Sequence, residues 1–98
     1  MTVRLGLLAR LEAKPGKADE LGSFLEAGRA LAVAEAGTVT WYAFRIDEVT
    51  FGIFDTFETG EARQAHLDGE IPKALAQVAP DLLAAAPDIR LVDVLAVK

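Results

Sequence analysis

The sequence TFGIFDTFETGEARQAHL spans residues 50–67 and combines a strand, a turn and a short helix. Its first eight residues are rich in aromatic and β-branched side chains, which is typical of a buried strand. The turn lies at Glu58, Thr59 and Gly60, and a helix is predicted over residues 60–67. This helix carries His66, the only histidine in the chain. Because the helix must pack over the strand, the imidazole is the first candidate for a functional side chain.

The residues before this stretch predict a strand, a helix and a hairpin. Residues 2–13 alternate apolar and polar side chains, as a strand does, and Pro15 and Gly16 mark a turn. Apolar residues then recur at helical spacing over residues 17–36, and Gly37 is expected to end the helix in a left-handed conformation. Residues 38–46 and 49–57 are predicted to be strands joined by a tight turn at residues 47–48.

The residues after His66 complete the predicted fold. Pro72 suits the first turn of a helix over residues 71–86, which Pro80 should kink or split. Residues 89–98 alternate again and predict a fourth strand. The order β-α-β-β-α-β predicts one α+β domain over residues 1–98, with the ferredoxin-like split βαβ arrangement.

The strands carry large apolar residues on both faces, which predicts self-association. Right-handed crossovers place both helical units on one face of the sheet and leave the other face open. An antiparallel sheet with one solvated face would show polar residues there. The chain is also small, at 98 residues, and 52% hydrophobic, so a monomer would expose much apolar surface. We therefore expect a homodimer in which two sheets pack face to face.

Composition excludes several classes of partner and site. The chain has 10 basic and 15 acidic residues without a basic cluster, so neither nucleic acid nor a membrane surface is an expected partner. It has no cysteine, which excludes disulfides and thiolate chemistry and fits a cytoplasmic protein. No apolar run reaches membrane-spanning length. One histidine without a carboxylate cluster, and no glycine fingerprint, predict neither a metal nor a nucleotide cofactor.

His66 has two possible roles. Its ordinary pKa, about 6.5, suits a base or a hydrogen-bond donor that stabilises a phenolate. Alternatively, it is a half-buried helix residue bonded to a carbonyl group or to a carboxylate such as Asp55. Arg63 on the same short helix is expected to be solvated.

The strands supply four candidate ligand-binding residues, Trp41, Tyr42, Phe54 and Asp55. Trp41 and Tyr42 are adjacent, so one should face a cavity below the helices and the other the dimer interface. Ordinary core packing is the alternative for each. Asp55 lies mid-strand among aromatic residues, where a carboxylate is either paired or kept for function. Arg10 and Arg45 are candidate partners for an ion pair.

The turn AKPGKADEL (residues 13–21) and the segment FGIFDTFETGEARQAHL (residues 51–67), followed by a helix, resemble the antibiotic biosynthesis monooxygenase family. The resemblance covers nearly the whole chain in order and spacing. It implies a dimeric α+β barrel with a pocket between helices and sheet. It also implies oxidation of a small aromatic or quinol compound by O₂, often without flavin, haem or metal. One branch of the family degrades haem with an Asn, a Trp and a His, and the corresponding positions here are Ala9, His66 and Ala76. Because none of the three residue types is retained at its position, haem oxygenation is not expected.

Three functional hypotheses remain open at this stage. The first is a cofactor-independent monooxygenase with His66 as its catalytic residue. The second is a non-catalytic dimeric protein of the same fold that binds a small molecule or serves as an accessory. The third is an isomerase or cyclase, because related α+β barrels host such reactions.

Overall fold

The computed structural model describes residues 3–98, and within them it contains one four-stranded sheet and three helices. All neighbouring strands are antiparallel, and their order is β2-β3-β1-β4. This confirms the ferredoxin-like α+β fold predicted from the sequence. The elements are β1 (Leu5–Glu12), α1 (Ala18–Ala34), β2 (Thr40–Arg45), β3 (Thr50–Phe57), α2 (Gly60–Leu67), α3 (Glu70–Leu82) and β4 (Asp88–Asp93).

The helices cover one face of the sheet, as right-handed crossovers require. Leu21 and Leu25 of α1 and Leu75 of α3 pack against the strand residues Leu11 and Phe51. These side chains are all buried and form the hydrophobic core. No helix within residues 3–98 is long and apolar enough to cross a membrane.

The first half of the chain differs from the prediction at element ends. The predicted first strand begins at Thr2, which lies outside the described residues. The helix ends at Ala34, and Gly37 does not adopt the predicted left-handed conformation, because Gly16 is the one described residue with a positive φ, of 79°. Gly37 instead lies against α2, where a Cβ atom would come within 2.9 Å of the Cβ of Ala62. Its small size is needed for packing and not for a helix cap.

The last helix and strand are shorter than predicted. Pro80 lies within α3 and does not split it, because the helix ends soon afterwards, at Leu82. Leu83 then forms a bridge with Ala13 at the end of the first strand. The fourth strand ends at Asp93 and not at residue 98. Asp93 pairs with Leu5, and Leu5 is the first residue of β1. Beyond that point one further backbone hydrogen bond joins the two segments, from the N–H of Val94 to the carbonyl of Arg4 at 2.8 Å.

The sheet face away from the helices carries a large apolar patch, and we call this face the open face. Its floor contains Gly52, where a Cβ atom would come within 2.3 Å of the ring of Phe44, so that this ring lies across the strand. Phe54 lies in the same way toward Gly6. Large side chains on this face remain accessible, with Leu8 39% and Tyr42 58% exposed. The apolar patch of the open face consists of Leu8, Tyr42, Phe44, Phe54 and Val92 around these two glycines. The charged residues Arg10, Asp88 and Arg90 share the same face, because Arg10 pairs with Gly52 and Asp88, and Arg90 pairs with Leu8.

Candidate functional site

Helix α2 places His66 over strand β3. Thr59 begins the helix by accepting a hydrogen bond from the backbone N–H of Ala62 at 3.1 Å, as serine and threonine caps do. The helix then runs over residues 60–67, as predicted. His66 is buried, and its ring lies 5.4 Å from that of Phe57, measured between centroids. The imidazole therefore belongs to the interior between helix and sheet.

Two carboxylates flank the imidazole on opposite edges, and we call this group the Glu35–His66–Asp55 cluster. Nδ1 of His66 lies 2.6 Å from Oε1 of Glu35, which follows the last turn of α1. Nε2 of His66 lies 3.0 Å from Oδ2 of Asp55 on β3. Glu35 is further held by the hydroxyl of Thr38, which donates to its Oε1 at 2.6 Å. Three elements of the fold thus meet at one ring.

The flanking carboxylates keep the imidazole protonated at neutral pH. Burial lowers the pKa of His66, but the hydrogen bonds to Asp55 and Glu35 and the charges of both carboxylates outweigh burial and raise this pKa to about 9. Both ring nitrogens then donate hydrogen bonds. A protonated ring with both nitrogens engaged has no lone pair to accept a proton. The geometry therefore favours the alternative in which His66 bonds a carboxylate, and it argues against a free base.

Asp55 is the buried carboxylate that faces a cavity. It is 1% exposed, and its Oδ1 atom has no hydrogen-bond partner within residues 3–98. Leaving a buried acceptor unpaired costs about 1–3 kcal/mol, and more for a charged group. The predicted ion pair with Arg10 or Arg45 is wrong, because His66 takes that place. Arg45 instead lies over the ring of Phe51, 5.0 Å from its centroid.

Trp41 is a second residue with an unsatisfied buried polar atom. It pairs directly with Asp55 in the β2–β3 register and so shares its sheet face. Its ring packs beneath α1, where a Cβ atom on Gly28 would lie 3.4 Å from it. In the part of the chain that the structure describes, its indole Nε1 lacks a hydrogen-bond partner. A buried donor and a buried acceptor therefore occupy neighbouring positions on two strands.

Two small cavities lie on this side of the sheet. The Asp55 cavity measures about 40 Å³ and is lined by Asp55, His66 and apolar side chains. The Trp41 cavity measures about 100 Å³ and lies beneath α1. Ile53 and Ile71 line both cavities and form the wall between them.

A larger apolar groove of about 660 Å³ lies at the surface between α3 and β4. It shares Pro72, Leu75 and Ile89 with the Asp55 cavity. The groove is therefore adjacent to the Asp55 cavity.

The structure divides the five predicted site residues between the two faces of the sheet. His66, Asp55 and Trp41 lie on the helix side. Tyr42 and Phe54 are register partners on the open face. The prediction that adjacent Trp41 and Tyr42 face opposite sides agrees with this geometry. A single pocket in one chain cannot include all five residues.

Two residues have roles that differ from the sequence-based expectation. Glu35 is absent from the residues that the sequence predicts for the site. Its position gives a signal, because a carboxylate near the negative end of a helix dipole is unfavourable without a cation close by. His66 is that cation, and it lies in the last turn of α2, where positive charge is favourable. Arg63 is not simply solvated, since its Nη1 donates to the backbone carbonyls of Gly6 at 3.3 Å and Val92 at 3.4 Å.

The cluster does not have the arrangement of a metal site. Glu35 and Asp55 bind opposite nitrogens of the ring, so their oxygens do not converge on one point. Among residues 3–98, no group of three or more His, Asp or Glu side chains is placed to hold a metal ion. The expectation of no cofactor stays a prediction.

No family model matches the sequence, and no curated protein matches it either. Solved structures do. A protein of unknown function from Nitrosomonas europaea is 46% identical, with a TM-score of 0.96 over 98% of this chain and 93% of that chain. A protein from Pseudomonas aeruginosa is 28% identical, with a TM-score of 0.82 over 98% of each chain.

A third solved structure carries a functional assignment. This protein, from Caulobacter crescentus, is described as a putative antibiotic biosynthesis monooxygenase and is 22% identical. Its TM-score is 0.80 over 96% of this chain and 92% of that chain. At this identity the likeness concerns the fold.

Proposed function

Because the chain belongs to the same family as the Nitrosomonas europaea protein and has the fold of the antibiotic biosynthesis monooxygenases, we propose that it is a cofactor-independent monooxygenase. Its substrate is a small hydroxylated aromatic or quinol compound, which it oxidises with O₂. The observation that carries the proposal is the Oδ1 atom of Asp55, which lies beside an apolar cavity and has no hydrogen-bond partner among residues 3–98. The fold alone does not define a reaction.

The reaction needs no external reductant. A phenolic ring gives up two hydrogens, one oxygen atom of O₂ becomes a carbonyl oxygen of the product, and the other leaves as water. The substrate is oxidised by four electrons and O₂ is fully reduced. A protein catalyses this chemistry by raising the electron density of the ring and by excluding water from reactive intermediates.

Each residue of the cluster has a distinct part in this proposal. Asp55 accepts a hydrogen bond from the ligand hydroxyl through Oδ1, which increases the electron density of the ring. His66 is a positioning residue, because it binds the other oxygen of Asp55 at 3.0 Å. Glu35 fixes the opposite edge of the imidazole at 2.6 Å. The apolar lining of the cavity keeps water away from the reacting ring.

We also propose that the functional unit is a homodimer joined through the open faces. The accessible surface of the chain is 6232 Å², whereas a monomer of its mass is expected to have about 5,400 Å². The excess includes large side chains of the open face that a soluble monomer would bury, among them Tyr42, which is 58% exposed, Leu8, which is 39% exposed, and Phe44, which is 38% exposed. A second copy supplies a matching apolar face, because an isologous contact joins identical surfaces.

The alternative function is that of a non-catalytic dimer that binds a small molecule. One observation favours it, namely that both nitrogens of His66 are engaged by carboxylates. Such a site holds a ligand without transferring a proton through the histidine. The two functions share the pocket and differ in whether O₂ is consumed.

Oxygen uptake separates these functions. The purified protein is supplied with a panel of hydroquinones and anthrones, and isotopically labelled O₂ is traced into the product. A monooxygenase incorporates one labelled atom, and Asp55→Asn reduces the rate by about 10²-fold, the scale of a lost acid–base group. The matched control is Asp93→Asn, the same change at an exposed position of β4. Binding without oxygen uptake would instead establish the non-catalytic dimer.

A further inference from the structure

We propose that Trp41 and Asp55 together recognise a hydroxyl group of the ligand, so that the pocket binds the hydroxylated compound and releases its carbonyl-bearing oxidation product. This inference rests on the proposed aromatic ligand. It adds to that proposal a chemical reason why the site binds the substrate, which carries a hydroxyl group, more tightly than the product, which carries a carbonyl group there.

The two residues form a cross-strand pair. Trp41 and Asp55 are direct register partners on β2 and β3, and such side chains stand about 5 Å apart at Cβ. Nε1 of Trp41 and Oδ1 of Asp55 are both buried, and neither has a hydrogen-bond partner within residues 3–98. The other oxygen of Asp55 is already bound to His66. What remains free at this pair is one donor and one acceptor.

The chemistry of these atoms selects the ligand group. An indole N–H only donates, and a carboxylate oxygen only accepts. A hydroxyl group does both, so it satisfies the acceptor of Asp55 while its oxygen accepts from Trp41. An ether oxygen or a quinone carbonyl only accepts, and either one leaves Asp55 unpaired. A carbonyl oxygen also repels the carboxylate oxygen that it would face, so oxidation of the hydroxyl removes the contact that held the ligand.

The space near the pair limits the size of the ligand. The cavities of about 40 Å³ and about 100 Å³ lie on either side of Ile53 and Ile71. An apolar cavity of roughly 150 Å³ holds one benzene ring. A one-ring ligand therefore fills both cavities only when this isoleucine wall shifts, and larger ring systems do not fit.

Anaerobic titration calorimetry tests the proposal, because turnover cannot occur without O₂. The probes are methylhydroquinone, its dimethyl ether and methyl-p-benzoquinone. The wild-type protein is expected to bind methylhydroquinone about 10-fold or more tightly than either of the others, as the loss of one hydrogen bond to a charged group predicts. Equal affinity for all three, or no binding of any, overturns the proposal.

Two variants assign the preference to the pair. Asp55→Asn replaces an oxygen acceptor by an amide that can also donate, so the preference for methylhydroquinone should fall to within about 3-fold or reverse. Trp41→Phe removes the donor and should weaken all three compounds by a similar factor, with the preference retained. Asp93→Asn should bind like the wild type. A preference that is unchanged in Asp55→Asn would contradict the assignment.

The result is independent of the monooxygenase reaction. A protein that prefers methylhydroquinone but consumes no O₂ with any substrate refutes the reaction and keeps this inference. A protein that consumes O₂ but binds the three compounds equally refutes this inference alone.

Discussion

Nε2 of His66 lies 3.0 Å from Oδ2 of Asp55, and this contact joins helix α2 to strand β3 inside the protein. Glu35 binds the opposite ring nitrogen at 2.6 Å and adds the end of α1 to the same group. The imidazole stabilises this arrangement only while it is protonated, because only then does it carry the positive charge that the two carboxylates attract. The stability of the fold and the geometry of the pocket are therefore linked to the charge of one imidazole.

The first prediction is that thermal stability falls as the pH rises above neutral. The pKa of His66 is about 9 in the folded protein and about 6.5 in an unfolded chain. Below about pH 6.5 both states hold the proton, and the stabilisation is fully present. Between the two pKa values only the folded state retains it, so stability is lost as the pH rises, by at most about 3 kcal/mol.

Melting temperatures measured from about pH 6 to about pH 9 check this prediction, because about 1 kcal/mol corresponds to roughly 4–8 °C for a domain of this size. The control is His66→Gln, which cannot titrate and should show a flatter profile. Parallel profiles for the two proteins would contradict the raised pKa.

The second prediction separates positioning by His66 from direct catalysis. His66→Ala removes the contact that orients Asp55, so the rate per folded enzyme should fall between about 10-fold and 10²-fold, the range that a small displacement can produce. His66→Gln retains an N–H donor and should recover much of the rate. Turnover and melting are measured on the same preparations. If His66→Gln is as slow as His66→Ala, a proton of the imidazole itself takes part, whereas intact turnover in both variants removes His66 from the mechanism.

The sequence predicted the fold well because its signals are local. Alternation over the first strand and the Thr59–Gly60 turn before α2 are visible without knowledge of the tertiary contacts. The ends of β4 and of α1 were less predictable. The end of β4 depends on where β1 supplies partners, and the role of Gly37 after α1 depends on its close approach to Ala62. Both are long-range packing constraints.

The candidate site was only partly predictable for the same reason. His66 and Asp55 are unusual in their local sequence, so both could be singled out. Glu35 lies far from His66 in sequence, and only the folded chain brings the two side chains together. The assignment of Tyr42 and Phe54 to the pocket required knowledge of which strand face the helices cover. Alternation relates neighbouring residues to each other but does not fix that choice.

The third prediction concerns the open face. Leu8 lies in the middle of this face and is 39% exposed. Leu8→Glu places a charge in an apolar contact, so sedimentation should show a dimer for the wild type and a monomer for the variant at micromolar concentration. The control is Val33→Glu on α1, which is 68% exposed on the helix side and should remain dimeric. A monomeric wild-type protein, or a variant that still dimerises, would refute the sheet-to-sheet contact.

The fourth prediction is that Ile71 limits the size of the ligand. Ile71 is buried and lines both the Asp55 cavity and the Trp41 cavity. Ile71→Ala should join the two cavities and allow a two-ring hydroquinone to bind, at a cost in stability of about 2–5 kcal/mol, as for other buried isoleucines. Ile71→Val should cost about 0.5–1.5 kcal/mol and keep the one-ring limit.

The measurement is the ratio of affinities for naphthohydroquinone and methylhydroquinone, taken without O₂ so that binding alone is observed. The ratio should rise in Ile71→Ala and stay unchanged in Leu82→Ala, a change at a buried residue of α3 that lines neither cavity. If both alanine variants raise the ratio equally, general loosening of the core accounts for the effect, and Ile71 does not set the size of the pocket.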